Sequence, residues 1–183
     1  MADLVKRSGG TRNYAKQPST LAKRRAEYDR KMATGEYDPG LSYFDPSGGY
    51  VLVHKHHNPR KDDDREDLAS EFLAASGYVV ELGDERNTVS HESKNDGAIY
   101  NSPMDIKTIN KAGNHTIKQR MEDAATQGAK TVILMQNTPD MTREYVESQI
   151  SNFVEKSPGR CRNQLEYVIV VGSTGNIHRR KLK

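Results

Sequence analysis

The sequence is poor in residues that cross-link a chain or anchor it in a membrane. Cys161 is the single cysteine in 183 residues, so no internal disulfide can form and no cysteine metal site exists. No run of about 18 apolar residues occurs, which leaves neither a predicted membrane span nor the apolar region of a signal peptide. These absences favour a protein that folds and acts in a cytoplasm-like environment. They are compatible with a piece of a longer protein.

Apolar residues are also scarce, at 34% against 29% charged residues, so a core must be confined to part of the chain. The charge is uneven: residues 1–61 hold twelve Lys and Arg against six Asp and Glu, and residues 62–183 hold sixteen against nineteen. A second basic cluster lies at residues 178–183. Basic segments on a near-neutral body suit a polyanionic partner such as nucleic acid. A solvated tail that only keeps the chain soluble is the alternative.

The hydrophobic pattern divides the chain in two. Residues 1–46 are rich in Gly, Ser, Pro, Lys and Arg and lack sustained apolar periodicity, so we predict a basic arm or linker with at most one basic helix at 19–32. Residues 47–183 are predicted to form one α/β domain.

From residue 62 onward the pattern predicts helix, strand, strand, strand, helix and strand. Apolar side chains recur at helical spacing in the helices, whereas the strands are short apolar runs. A further helix and a C-terminal hairpin follow, which indicates one sheet covered by helices. The predicted helices are 62–76, 114–128 and 138–154, the last capped by Thr138, and the predicted strands are 50–54, 78–82, 96–100, 104–109, 131–135, 167–171 and 177–182.

The predicted hairpin at 96–109 carries an unusual set of charges. A turn at Tyr100 and Asn101 pairs residues whose numbers sum to 201, which puts Asp96 opposite Asp105, where like charges are destabilising. Lys107 shares a strand face with Asp105. Carboxylates are the protein ligands that Mg²⁺ prefers, and a bound cation relieves their repulsion and activates a water for attack on a phosphodiester. A charged strand face exposed to solvent is the alternative.

The element order, with Asp…Asp-x-Lys on the second and third strands, resembles the PD-(D/E)XK nuclease superfamily over about 75 residues. Asn95 stands where the motif has proline. The resemblance implies a restriction-endonuclease-like core and a divalent cation, Mg²⁺ or another such as Mn²⁺ or Zn²⁺, held by Glu66, Asp96 and Asp105. The catalytic set that it implies is Glu66, Asp96, Asp105, Lys107 and Gln127.

Within that superfamily, residues 105–108 and 124–134 look most like the C-terminal tRNase domains of contact-dependent growth-inhibition toxins. Similar domains occur on phage head-morphogenesis proteins. The resemblance implies a metal-dependent RNase that acts on tRNA in the cytoplasm, arrives as part of a larger secreted or phage-borne protein, and is blocked by a cognate immunity protein. The predicted nucleic-acid-binding residues are Lys111, His115, Arg179, Arg180 and Lys181.

Three other functions stay open at this point. The first is a DNA endonuclease of the same fold, and the second is a metal-independent RNase of the barnase and colicin kind that uses His91 or His115. The third is a nucleic-acid-binding module without catalysis. The histidines at 54, 56 and 57 suggest a metal cluster, but no cysteine or carboxylate spacing completes a zinc site, so we interpret them as exposed loop residues.

Overall fold

The computed structural model describes residues 18–57, 65–86 and 95–183. They form eight strands in one sheet, with the strand order β1 to β8 following the chain. The strands are β1 (Tyr43–Phe44), β2 (Tyr50–Val53), β3 (Val79–Leu82), β4 (Gly97–Ile99), β5 (Ser102–Ile109), β6 (Thr131–Gln136), β7 (Tyr167–Val171) and β8 (Ile177–Lys181). The helices are α1 (Pro18–Met32), α2 (Glu66–Ala75), α3 (Thr116–Thr126), α4 (Arg143–Lys156) and α5 (Gly159–Gln164).

The pairing of the strands follows from their connections. Strands β2 and β3, β5 and β6, and β6 and β7 are parallel, and each of these pairs is joined through at least one helix. The remaining neighbours are antiparallel. Parallel neighbours need such a crossover, whereas antiparallel neighbours can be joined by a tight turn. The predicted α/β class is therefore confirmed, while the specific PD-(D/E)XK core stays a prediction.

Helices cover both faces of the sheet. On one face, hereafter the α2 face, Ala69 and Leu73 of α2 pack on strand residues that include Met104 and Ile106. On the opposite face, hereafter the α1/α3 face, α3 and α4 cover strands β5 to β7. At the β2 end of that face, Tyr28 of α1 packs on Tyr50 and Leu52. The described residues contain no helix that is long and apolar enough to cross a membrane.

Residues 18–46, which fall in the predicted arm, pack against the sheet. Tyr28 is buried and makes edge-on ring contacts with Phe44 and Tyr50. The guanidinium of Arg24 donates to the carbonyl oxygens of Gly48 and Gly77, at 2.9 and 2.7 Å. Residues 1–17 lie outside the described part of the chain, and the boundary between arm and domain stays a prediction.

One helix begins later than its sequence pattern predicts. Thr138 does not cap it; α4 begins at Arg143, and the hydroxyl of Thr142 accepts the backbone N–H of Tyr145 at 3.2 Å. Thr142 therefore provides the N-cap side chain that the sequence pattern assigns to Thr138. The predicted capping acids of α2, residues 62–64, lie outside the described residues.

Candidate active site

The hairpin of β4 and β5 has the register predicted from the sequence. Gly97 pairs with Met104, so Asp96 lies across from Asp105. The chain reverses through Tyr100 and Asn101, whose φ angles of 50° and 61° place both in the left-handed region. Two consecutive residues with positive φ are typical of a type I′ turn, which matches the twist of the flanking strands. The turn therefore fixes which carboxylates meet.

Asp105 is fully buried on the α1/α3 face. Its sequence neighbours Met104 and Ile106 belong to the core under α2, so alternation along β5 directs Asp105 and Lys107 to the opposite face. Oδ2 of Asp105 lies 2.7 Å from Nζ of Lys107. Neither oxygen of Asp105 has a well-formed hydrogen bond within the described residues. The contact with Lys107 is therefore an ion pair whose geometry is unfavourable for a hydrogen bond.

The surroundings of Asp105 make it hard to ionise. Burial, followed by the neighbouring Asp96 carboxyl group, raises the pKa of Asp105 to about 7, and Lys107 opposes this rise. A carboxylate whose proton affinity is raised by burial and by a like charge is typical of functional sites. The hairpin thus holds a buried carboxylate next to a second carboxylate and an ammonium, both of which are partly exposed.

Asp96 is fixed by the backbone around it. Its Oδ2 accepts the N–H of Ile106 at 2.6 Å, and its carbonyl oxygen accepts the N–H of Gly83 at 2.8 Å. Gly97 leaves no room for a side chain, because an added Cβ would lie 1.8 Å from the carbonyl oxygen of Glu81. Glycine at this position therefore allows β3 and β4 to approach closely next to Asp96.

A shallow, open pocket of about 380 Å³ lies beside the hairpin. Ala98 and Pro103, which pair with each other and line it, point to the α1/α3 face, as does Asp105. The buried Oδ1 of Asn95 has no hydrogen-bond partner within the described residues. The pocket is lined by Asn95 and Gly97, the two residues that flank Asp96 in the chain. Its lining is Gly83, Asp84, Asn95, Gly97, Ala98, Asn101 and Pro103.

The sequence prediction missed Glu81, which lies on the same sheet face. Glu81 pairs with Ala98 across the strands, accepts the hydroxyl of Tyr37 at 3.0 Å, and forms an ion pair with Lys31. Burial and the nearby charge of Glu81 raise the pKa of Tyr37 to about 12. Nζ of Lys31 also donates to Oδ1 of Asn101 at 3.1 Å, which ties α1 to the turn. The sequence does show Glu81 as a single acidic residue within the apolar run 78–82, which could have indicated a special role.

Glu66 is the first residue of α2, on the other side of the sheet from Asp105. Its Oε2 lies 3.5 Å from Nε2 of His57, whose Nδ1 lies 3.2 Å from Oε1 of Glu85. The N–H of Arg65 donates to Oγ1 of Thr108 at 3.1 Å, so α2 begins next to β5. The structure thus brings Asp96, Asp105 and Lys107 together and groups Glu66 with His57 and Glu85. The interpretation of His57 as an exposed loop residue is wrong, because His57 is 6% exposed.

Gln127 follows the last residue of α3, and its buried Oε1 has no hydrogen-bond partner within the described residues. Close by, the N–H of Lys130 donates to the carbonyl oxygen of Pro103 at 2.9 Å, so this end of α3 lies near the start of β5. The catalytic role of Gln127, like that of Glu66, stays a prediction.

The predicted nucleic-acid-binding residues lie at two places. Lys111 and His115 are exposed before α3, and His115 makes no capping hydrogen bond. On β8, Arg179 stacks over the ring of Tyr167 at 4.0 Å, Arg180 forms an ion pair with Glu147, and Lys181 is exposed. His91 of the alternative metal-independent mechanism lies outside the described residues.

The fold and this site define a class: a mixed α/β protein in which a hairpin holds a buried aspartate beside a second carboxylate and a lysine. No family model and no curated protein matches the sequence. Among solved structures, one chain of the CdiA-CT/CdiI toxin and immunity complex from Burkholderia pseudomallei is similar, with a TM-score of 0.51 and 19% identity. The match covers 72% of this chain and 98% of that chain. At this identity the likeness shows a shared fold.

Proposed function

We propose that this protein is a metal-dependent nuclease that acts as the toxin of a toxin–immunity pair. The observation that carries the proposal is the group formed by Asp96, Asp105 and Lys107. A buried carboxylate beside a second carboxylate destabilises the fold. A cation bound to both carboxylates would offset this cost.

The residues present fit a divalent cation. Asp105 offers two oxygens without well-formed hydrogen bonds, and Asp96 uses one oxygen to accept the N–H of Ile106. Carboxylate oxygens are the ligands of hard cations such as Mg²⁺, and Mn²⁺ or Zn²⁺ also accept them. Asp96 and Asp105 would hold the ion. Glu66, the third ligand that the superfamily resemblance implies, lies instead beside His57. When bound, such an ion polarises a phosphoryl oxygen and lowers the pKa of a coordinated water.

Two further groups would assist the hydrolysis, the ammonium of Lys107 and the backbone N–H of Ile106. Lys107 is 17% exposed, and its ammonium lies 2.7 Å from Oδ2 of Asp105, so a phosphate bound to an ion at Asp105 would lie close to it. There it would stabilise negative charge that develops on the phosphate during attack. The N–H of Ile106 keeps the Asp96 carboxylate in one orientation. The geometry therefore suits hydrolysis of a phosphodiester.

We propose RNA, and tRNA in particular, as the substrate. The proposal of tRNA rests on the resemblance of residues 105–108, 117 and 124–134 to tRNase toxin domains. The fold likeness to one chain of a toxin and immunity complex supports the toxin role. The same comparison supports a cognate immunity protein as partner. The site of action would be the cytoplasm of a target cell, reached as part of a larger secreted protein.

The test is incubation of the purified chain with total tRNA, rRNA and plasmid DNA, in Mg²⁺ or in EDTA. We expect tRNA cleavage in Mg²⁺, none in EDTA, and none with Asp105→Asn. Asp123→Asn is the matched control, because Asp123 is an exposed acid on α3. Cleavage that persists in EDTA and in Asp105→Asn would overturn the metal mechanism. Cleavage of plasmid DNA alone would make the protein a DNase.

A further inference from the structure

A second group of metal-ligating side chains lies at the edge of the sheet where β2 and β3 end. His57 follows β2, Glu66 begins α2 and Glu85 follows β3. One potential ligand atom from each of the three residues lies within 4.8 Å of the others. Three separate segments therefore converge on one point.

His57 provides the evidence that this point holds a positive charge. Its side chain is wholly buried, and neither ring nitrogen has a well-formed hydrogen bond within the described residues. Both nitrogens nevertheless face carboxylates, Nδ1 that of Glu85 at 3.2 Å and Nε2 that of Glu66 at 3.5 Å. A neutral imidazole has one N–H and one lone pair, so a neutral His57 would turn a lone pair towards one of the two carboxylates. The three groups therefore need a positive charge, which either a second proton on His57 or a bound cation can supply.

We propose that His57, Glu66 and Glu85 bind a divalent transition-metal ion of the Zn²⁺ class through one imidazole nitrogen and two carboxylates. Imidazole together with carboxylate is a ligand set for Zn²⁺, Mn²⁺ or Co²⁺, whereas Mg²⁺ prefers oxygen alone. With metal–ligand bonds of about 2.0–2.1 Å, tetrahedral ligand atoms lie roughly 3.4 Å apart. The separation of 3.2 Å from Nδ1 to Glu85 and that of 3.5 Å from Nε2 to Glu66 are each close to that value, but they involve different ring nitrogens. The ion can bind only one of these nitrogens, so the glutamate beside the other nitrogen must move to reach it.

None of the three proposed ligands belongs to the carboxylate pair of the hairpin. Asp105 and Lys107 point to the α1/α3 face, whereas Glu66 begins the helix that covers the opposite face. The ion would join the ends of β2 and β3 to the first turn of α2, so binding stabilises the folded chain through mass action. The inference rests on the geometry of His57 and holds whether or not the protein is a nuclease.

The test uses the full chain, freed of metal by chelation, and CoCl₂ as the probe, because Co²⁺ replaces Zn²⁺ and its visible absorption reports its ligands. We expect the wild type and Asp105→Asn to keep a Co²⁺ site. In the Asp105→Asn background, which removes the carboxylate pair of the hairpin, His57→Gln and Glu85→Gln should each weaken Co²⁺ binding at least tenfold. His56→Gln, a change in an exposed neighbouring histidine, is the matched control and should bind like the wild type. ZnCl₂ should compete for the same site.

Absence of Co²⁺ binding by the wild type, or unchanged binding by both His57→Gln and Glu85→Gln, overturns the proposal. Loss of binding in Asp105→Asn also overturns it, because the two groups would then form one composite site. If His57→Gln does not fold, Glu85→Gln decides, since the Glu85 side chain is 25% exposed and less important for packing. The titration contains no nucleic acid, so its outcome is independent of whether the chain cleaves RNA.

Discussion

Asp96 is held by the strand that carries Asp105, through the hydrogen bond from the N–H of Ile106 to Oδ2 of Asp96. The donor lies between Asp105 and Lys107 in sequence, so all three charged groups are positioned by one short stretch of backbone. A substitution at one of them therefore need not displace the others. This independence makes the site suitable for dissection by single changes.

The first prediction concerns pH. The pKa of Asp105 is raised from 3.8 to about 7 in the folded chain, so the folded chain binds this proton more tightly than the unfolded chain. In EDTA, its contribution to stability is present in acid and is lost as the pH rises through about 7, with a slope of at most about 1.4 kcal/mol per pH unit. Urea unfolding at several pH values should show this loss in the wild type. Asp105→Asn should lack it, and parallel pH profiles for the two proteins would contradict the prediction.

The second prediction concerns Lys107. Lys107→Met should reduce the cleavage rate by about 10²–10³-fold, because one group that stabilises developing charge is removed from a buried site. Folding should be intact by circular dichroism. Lys118→Met is the matched control, since Lys118 also forms an ion pair with an acid, Glu122, but lies on α3. Equal activity of the two variants would remove Lys107 from the mechanism.

The third prediction concerns Gly97. An added methyl group would collide with the carbonyl oxygen of Glu81, so Gly97→Ala should force β3 and β4 apart and move Asp96. We expect a loss of about 1–3 kcal/mol in unfolding free energy, typical of overpacking, and loss of cleavage. Gly40→Ala is the control, because its Cβ would meet only the carboxylate end of the Asp38 side chain. Denaturant unfolding and a tRNA assay check both effects.

The fourth prediction concerns the basic strand β8. Arg180 forms an ion pair with Glu147, so the charges available to a polyanion are those of Arg179 and Lys181. Replacing both with Ala should weaken tRNA binding. It should also reduce the slope of log affinity against log salt concentration by about one for each phosphate contact that is lost. Turnover at saturating tRNA should change little. Fluorescence anisotropy against salt, with Lys156→Ala and Arg160→Ala as the control pair, measures this. Identical slopes would mean that β8 only aids solubility.

The fifth prediction concerns the N-terminal segment. Tyr28 is buried against Phe44 and Tyr50, so Tyr28→Ala should cost about 2–4 kcal/mol of unfolding free energy. Tyr43→Ala, at a position 37% exposed, should cost much less. A chain without residues 1–46 should lose cooperative unfolding, because Tyr50 and Leu52 become exposed. If that truncated chain unfolds as cooperatively as the full chain, the segment is an arm, as its composition predicts.

The features that the sequence predicts well are local. The hairpin register follows from a turn between two short apolar strands, and both carboxylates lie within nine residues of each other. The α/β class follows from the alternation of helical and strand periodicity, which each segment carries by itself. Residues that contact each other within a turn, a helix or a hairpin are close in the sequence. Their separation along the chain is therefore enough to predict these contacts.

The features that the sequence did not reveal depend on distant contacts. Helix α1 is polar along most of its length and docks through Tyr28, so its pattern resembles that of a solvated arm. Glu81 acquires its partners from Lys31 and Tyr37, residues that precede it by more than forty positions. His57 has the sequence context of an exposed loop residue because its carboxylate neighbours follow it by 9 and 28 positions on separate segments. No spacing rule connects such residues before the sheet is known.

The left-handed turn at Tyr100 and Asn101 also bears on how quickly the chain reaches its folded state. A hairpin of this size closes in about 1–10 µs, ahead of the parallel pairs, whose crossovers close longer loops. Asp96 and Asp105 would therefore meet while they are still in contact with water, where their repulsion is weak. Their electrostatic cost would then arise mainly when the rest of the sheet buries Asp105, so we expect it to affect the late steps of folding more than the closing of the hairpin.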